Sequence, residues 1–280
     1  NIFKGLKELQ SLSVNLNPQM NSNYLDASDI ISKGISKIPN LKSLNLQIIN
    51  FVMNENQIDN VMSQLDCTSL NALSIKLECP FMLKIPPSGL NINSFSSIEK
   101  LELYLFFGSI ANYEKDSFFA IIWNQIETAT KLKSIIIKFK DLKPISYEGS
   151  KAISQCFEKL KELREIKIES DSDQKVLGES ILSSIYACTK LKSLLLYLSL
   201  SNESLELLKR NLTKLSQLEE LALMTEESYF SQNKLIELFY SLSLVTNLKS
   251  FEFGLNQFEF KSQTFECMTN YLRSSKQPSK

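Results

Sequence analysis

Histidine is absent from this chain of 280 residues, which removes the side chain that most often acts as a general base near neutral pH or as a metal ligand. Cysteine is scarce: the five thiols are odd in number and include no Cys-x-x-Cys pair, so neither a disulfide framework nor a zinc site is indicated. The seven glycines do not cluster into a loop that would hold a phosphate group. These absences predict a protein without catalytic residues, cofactor or metal ion.

A surplus of charge is also missing, because 31 basic residues balance 31 acidic ones. A chain without net charge has no global field to attract nucleic acid or an anionic membrane, so neither is expected as a partner. No apolar run approaches the length of about 18 residues that a membrane span needs. The cysteine usage favours a reducing compartment, and we predict a cytoplasmic location. Only three basic residues are arginine, while isoleucine, asparagine, phenylalanine and lysine are abundant, which is typical of an AT-rich genome such as that of a protist.

The chain does contain a repeated frame, Leu-x-x-Leu-x-Leu-x-Leu, which is clearest at Leu191 to Leu198. Nine copies of the frame begin at Leu9, Leu41, Leu70, Ile98, Leu132, Leu163, Leu191, Leu218 and Leu248. These starts lie 27 to 34 residues apart, and such a period is typical of a solenoid. We therefore interpret residues 1–280 as a single repeat array, with a frayed polar tail at residues 274–280.

Positions 4 and 6 of the frame are apolar in all nine copies, and this alternation is typical of a strand that buries one face. The residue three places before each start is also apolar, as expected where a helix ends against the core. These residues are Leu6, Ile38, Cys67, Phe95, Ala129, Leu160, Cys188, Leu215 and Val245. Most linkers have apolar residues at helical spacing, with predicted N-caps at Asp116, Ser172 or Asp173, Asn202 and Ser231. The proline-rich linker 79–97 is predicted to be irregular.

A strand and a helix in each of about nine repeats of this length resemble the leucine-rich repeat family, in its long ribonuclease-inhibitor-like class. The resemblance covers essentially the whole chain. It implies an α/β fold: a right-handed horseshoe with a parallel sheet on the concave face and helices on the convex face. The family's asparagine after each strand is matched only by Asn17 and Asn256, so most turns must satisfy their buried backbone in another way. Ile2, Phe3 and Leu6 look like the end of a helix from an earlier repeat, which predicts that the natural protein continues upstream.

Positions 3, 5 and 7 of each frame should point away from the core. They are small and polar in the first three repeats but include large or apolar residues later in the chain. The candidate partner-binding residues are Tyr104, Ile136, Leu195, Tyr197, Ala222 and Met224. Four of these, on the seventh and eighth strands, should lie side by side and form an exposed apolar patch, which is typical of a protein interface. The alternative is that a flanking segment of the same polypeptide covers them.

Two weaker signals each have a plainer interpretation. Lys133, Arg164 and Lys192 occupy position 2 of consecutive repeats and would suit an acidic segment or a phosphate. We favour a solvated rim, because Glu99 and Glu219 interrupt the basic stripe. The Asp171-Ser172-Asp173 run would suit a cation, but helix capping accounts for it.

The leading hypothesis is a non-catalytic protein-interaction module or scaffold, such as an accessory subunit of a multi-subunit assembly, that binds another protein through its concave face. One alternative is a GTPase-activating protein of the leucine-rich-repeat type. That resemblance would imply a polar residue at the repeat edge, for which Arg164 is the candidate, but the acidic tail often found in that group is missing. A further alternative is the substrate-recognition part of a ubiquitin ligase, which would need an adaptor-binding helical segment upstream of Asn1.

Overall fold

A computed structural model of the chain describes residues 6–17, 33–49, 65, 67–79, 95–107, 120–140, 146–171, 175–225, 230–255, 266 and 269–270. In these residues, nine strands form one parallel sheet whose strand order follows the chain. The strands are β1 (Ser11–Leu16), β2 (Ser43–Ile49), β3 (Ala72–Cys79), β4 (Lys100–Phe107), β5 (Ser134–Lys140), β6 (Glu165–Ser170), β7 (Ser193–Tyr197), β8 (Glu220–Thr225) and β9 (Ser250–Leu255). Every strand lies on a predicted frame, so the fold is α/β with a solenoid-like arrangement of repeats.

In the described residues, helices connect the consecutive strands from β5 to β9 on one side of the sheet. They are α1 (Tyr147–Lys159), α2 (Lys175–Ser184), α3 (Asn202–Leu212) and α4 (Gln232–Ser243), with a 3₁₀ turn at Ile185–Ala187 and further helical residues at 33–35 and 120–126. Each helix packs beside the next, and its buried side chains share one core with those of the strands. No helix in the described part of the chain is long and apolar enough to cross a membrane.

The helix starts show where the sequence prediction of N-caps was right and where it was wrong. Ser231 is the N-cap of α4, as predicted. For α3 the N-cap is Ser201 and not Asn202, because Ser201 and Ser204 form a reciprocal capping box: the Ser204 N–H donates to Ser201 Oγ and the Ser201 N–H donates to Ser204 Oγ. The predicted caps Asp116, Ser172 and Asp173 lie outside the described residues, as do most of the proline-rich linker and the polar tail.

The register of the sheet pairs equal positions of consecutive frames. Leu194, for example, lies opposite Ile166 on one side and Leu221 on the other. In β2 to β8 the side chains at positions 4 and 6 are at most 1% exposed, which confirms the predicted buried face. In the edge strands β1 and β9 the equivalent side chains are half-buried, because within the described part of the chain each of these strands is paired on one side only.

A recurring backbone turn explains the apolar residue before each frame. The Leu191 N–H donates to the Cys188 carbonyl, and the N–H groups of Lys192 and Ser193 then both donate to the Arg164 carbonyl of the preceding repeat. The same pattern recurs at every junction from β1–β2 to β8–β9. It carries the residue three places before the frame into the core, where burial raises the pKa of the Cys188 thiol to about 12. Cys188 thus behaves as the small buried hydrophobe that the frame predicts.

The resemblance predicted that most turns lack an asparagine to satisfy their backbone, and the turn after β7 shows how another side chain does so. The Leu200 N–H donates to the hydroxyl of Thr225, 3.1 Å away, and the Leu198 N–H donates to the Met224 carbonyl. Thr225 is buried at the end of the next strand, so its side chain serves the backbone of the repeat before it. The turn after β7 is therefore satisfied by a side chain of the following repeat.

Candidate functional site

The face of the sheet opposite the helices carries positions 3, 5 and 7 of each frame, and we call it the open face. Because the register pairs equal positions, its side chains form rows across the strands. The row at position 7 consists of Asn15, Gln47, Lys76, Tyr104, Lys138, Glu169, Tyr197, Met224 and Gly254. The row changes from small and polar, through charged, to apolar, so each end of the sheet offers a different surface.

The structure places four of the predicted site residues side by side on β7 and β8. Leu195 lies opposite Ala222, and Tyr197 lies opposite Met224. Leu195, Tyr197 and Met224 are half-buried, whereas Ala222 is only 2% exposed because its single methyl group sits low between longer neighbours. These four residues form what we call the apolar patch.

Gly254 extends the apolar patch onto β9, and the sequence reasoning missed it. A Cβ atom at Gly254 would lie 2.2 Å from Sδ of Met224, so the Met224 side chain lies across β9 in the space that a larger residue would occupy. The sequence does contain a signal for it: Gly254 stands at position 7 of a strand, in a chain with only seven glycines, and a glycine within a strand often marks the close approach of another group.

The other two predicted residues, Tyr104 and Ile136, are separated from the apolar patch by charged side chains. Lys167 lies between Ile136 and Leu195 in the register. Lys138 and Glu169 lie between Tyr104 and Tyr197. The six predicted residues therefore form two groups on the open face and not one continuous surface.

The side chains between these groups form what we call the charged cluster: Lys138, Lys167 and Glu169. Glu169 accepts from Lys138 at 2.6 Å and from Lys167 at 3.0 Å. Burial alone would raise the pKa of Glu169, but the hydrogen bonds from the two lysines outweigh it and hold the pKa below its usual value. The Lys167 ammonium also lies 5.2 Å from the ring centre of Tyr197, so the charged cluster contacts the apolar patch directly.

A shallow cleft of about 490 Å³ extends between Tyr104 and Tyr197, one residue from each group of predicted residues. Its lining consists of Tyr104, Lys138, Phe139, Lys140, Glu169, Ser170, Asp171 and Tyr197. Tyr104 and Tyr197 thus face one space although three strand intervals separate them. The sequence reasoning did not include Lys138 and Lys140, which stand at positions 7 and 9 of the fifth repeat, where a basic pair was visible in the frame.

No protein-family model matches this chain, and no curated protein does.

The row of side chains at position 2 of the frame contains the basic residues that the sequence offered as a weak candidate anion site. Lys133 pairs with Glu99 at 2.8 Å, and Lys192 pairs with Glu219 at 2.9 Å. Both lysines are thus neutralised by a neighbouring repeat, which favours a solvated rim over an anion site. Within the described residues no three acidic or cysteine side chains lie close enough together to hold a metal ion.

Glu219 should make the stability of the protein depend on pH in the acid range. Hydrogen bonds from Lys249 and Lys192 lower the pKa of Glu219 to about 2, from an ordinary value of 4.5. The folded state therefore holds fewer protons than the unfolded state between these values, and the stabilisation present above pH 4.5 is lost as the pH falls towards 2. Carboxyl carbon chemical shifts measured by NMR should show Glu219 titrating near pH 2. Replacing both lysines with glutamine should return the midpoint to its ordinary value, and a wild-type midpoint already at that value would contradict the prediction.

Proposed function

We propose that the chain is a leucine-rich-repeat solenoid of the ribonuclease-inhibitor-like class, and that it acts as a non-catalytic protein-interaction module. A partner protein would bind the open face. The observation that carries this proposal is the apolar patch of Leu195, Tyr197, Ala222 and Met224, which lies on the solvent side of a sheet whose other side already forms the core.

The repeat geometry supports the proposed horseshoe. Parallel strands lie about 4.8 Å apart, whereas packed helices need about 8–10 Å between their axes. A repeat with a helix on one side is therefore wider on that side, and stacking such repeats bends the sheet inward. The open face would become the concave surface, where one extended partner can contact several strands at once.

The composition of the apolar patch supports a binding role over a purely structural one. Tyrosine and methionine are enriched at the centres of protein interfaces, and the patch adds a leucine beside them. The side chains project from strands whose backbone is paired on both sides. The conformational entropy that the protein loses on binding would therefore be small. Lys167 at its border would supply a polar rim.

The triple change Leu195→Ala, Tyr197→Ala and Met224→Ala should weaken partner binding by about tenfold or more, because each residue contributes buried interface area. The midpoint of thermal unfolding should change by only a few degrees, since none of the three belongs to the core. The measurement is quantitative affinity capture from cells of the source organism, with the triple variant compared against the wild-type chain.

A matched control removes three exposed apolar side chains from the helical side: Tyr186, Tyr240 and Leu244. The control should retain the partners that the open-face variant loses. Equal recovery of the same partners by the wild-type chain and the open-face variant would contradict the proposal. If removal of a flanking segment raises recovery by the wild-type chain but not by the open-face variant, the patch belongs to that segment instead.

A further inference from the structure

The cleft beside the apolar patch contains a lysine that differs from the other lysines of the sheet. Four of the five strand lysines, Lys76, Lys100, Lys138 and Lys167, each lie within 3.1 Å of a glutamate oxygen. Lys140 is exposed at the end of β5, and its ammonium lies 5.1 Å from the ring centre of Phe106. Among the described residues, Lys140 has no carboxylate partner.

Two further donors face the same cleft. The ring faces of Tyr104 and Tyr197 are covered by the Lys76 and Lys167 ammonium groups, at 4.9 and 5.2 Å. Neither tyrosine hydroxyl has a hydrogen-bond partner in the part of the chain that the structure describes. The tyrosine rings are therefore held in place by neighbouring repeats, while their hydroxyls stay available to a bound group.

Two lysines and two carboxylates line the cleft, but these charges are not paired one to one. The carboxylates that line it are Glu169 and Asp171. Glu169 is already shared by Lys138 and by Lys167, which lies outside the lining, so Lys140 is left without a carboxylate at ion-pair distance among the described residues. A negatively charged group that accepts hydrogen bonds would complement this arrangement. A basic group would instead be repelled by Lys140, which has no counter-ion there.

We propose that the partner binds through an acidic extended segment, whose aspartate or glutamate enters the cleft against Lys140 while a nearby aliphatic or aromatic residue covers the apolar patch. This inference rests on the proposed function, because it names the chemistry of the partner at the same open face. From the middle of the cleft to the apolar patch the distance is two strand intervals, or about 10 Å. An extended segment advances about 3.3 Å per residue, so the acidic and apolar side chains should be two to four residues apart.

The test uses a phage-displayed library of random 12-residue peptides, selected on the wild-type chain. Enriched sequences should carry an acidic residue two to four places from an apolar one. Synthetic peptides of the enriched sequence are then titrated by fluorescence anisotropy. Lys140→Glu should weaken binding by about tenfold or more, since a charge-assisted bond is replaced by repulsion.

Lys151→Glu is the matched control, because it makes the same charge change at an exposed position on α1, on the far side of the sheet. It should leave the affinity within about twofold of the wild-type value. Enriched peptides without acidic residues, or equal effects of the two substitutions, would overturn the inference.

The two proposals can fail separately. If the open-face triple variant loses peptide binding while Lys140→Glu retains it, the apolar patch is a binding site and the acidic segment is wrong. If neither variant changes binding of the enriched peptide, both proposals are wrong. If no peptide is enriched while the affinity capture still separates the open-face variant from the wild-type chain, only the acidic-segment inference is wrong.

Discussion

Leu196→Ala is expected to lower the free energy of unfolding by about 2–5 kcal/mol, because it leaves a cavity in a core that is packed on every side. Leu196 is fully buried and lies opposite Ile168 and Leu223 in the adjacent strands. Leu195, one residue earlier on the same strand, points to the open face. Leu195→Ala should therefore cost about 1 kcal/mol or less.

Urea unfolding followed by circular dichroism measures both variants under the same conditions. The emission of Trp123, the single tryptophan of the chain, gives a second signal from a repeat near β5, two strands away from Leu196. Coinciding transitions would show that the repeats unfold together. Equal losses for the two leucine variants would mean that Leu195 also belongs to a packed core, and the open face would then not be a free surface.

Trp123→Ala should destabilise the protein by about 3–5 kcal/mol, since it removes one of the largest fully buried side chains. The indole ring lies 5.5 Å from the ring of Phe157 on α1, centre to centre, and so ties the helical residues 120–126 to the next helix. Losing it removes contacts on both sides of a junction between repeats. Circular dichroism is the measurement, because the variant has no tryptophan emission.

Trp123→Phe separates the ring from its polar group. The indole N–H is buried and has no hydrogen-bond partner in the described ranges. Phenylalanine keeps most of the ring and removes that unsatisfied donor, so the expected loss is below about 2 kcal/mol. A loss as large as that of Trp123→Ala would show that the indole N–H makes a bond that matters for stability.

The repeat frame predicted the sheet well because burial of one strand face repeats with the same residue types in every copy. Leu194 and Leu196 could be placed in the core from spacing alone, and so could Cys188 three residues before its frame. The end of a helix is harder to place. Ser201 and Asn202 are both good N-caps, and the choice between them depends on the hydroxyl of Ser204, which no periodicity indicates.

The apolar patch was predictable for the same reason as the sheet, since Tyr197 and Met224 hold the same position of adjacent frames. The side-chain conformations around it were not. Met224 lies over Gly254, because the glycine of the next repeat has no side chain in that space. Lys167 lies over Tyr197, because the next repeat presents an aromatic ring there. The cleft between Tyr104 and Tyr197 arises from such contacts between repeats. A single copy of the sequence frame carries no information about them.

The order of the strands also decides how the molecule carries mechanical load. Within the described residues, each strand pairs with the strands that precede and follow it in the chain, and the hydrogen bonds between strands run along the line of repeats. Tension applied between the first and last repeats therefore acts on eight strand interfaces in series. A small extension is distributed over all of these interfaces, so the array should deform elastically along its length. A partner that spans several repeats would stiffen only the repeats that it contacts.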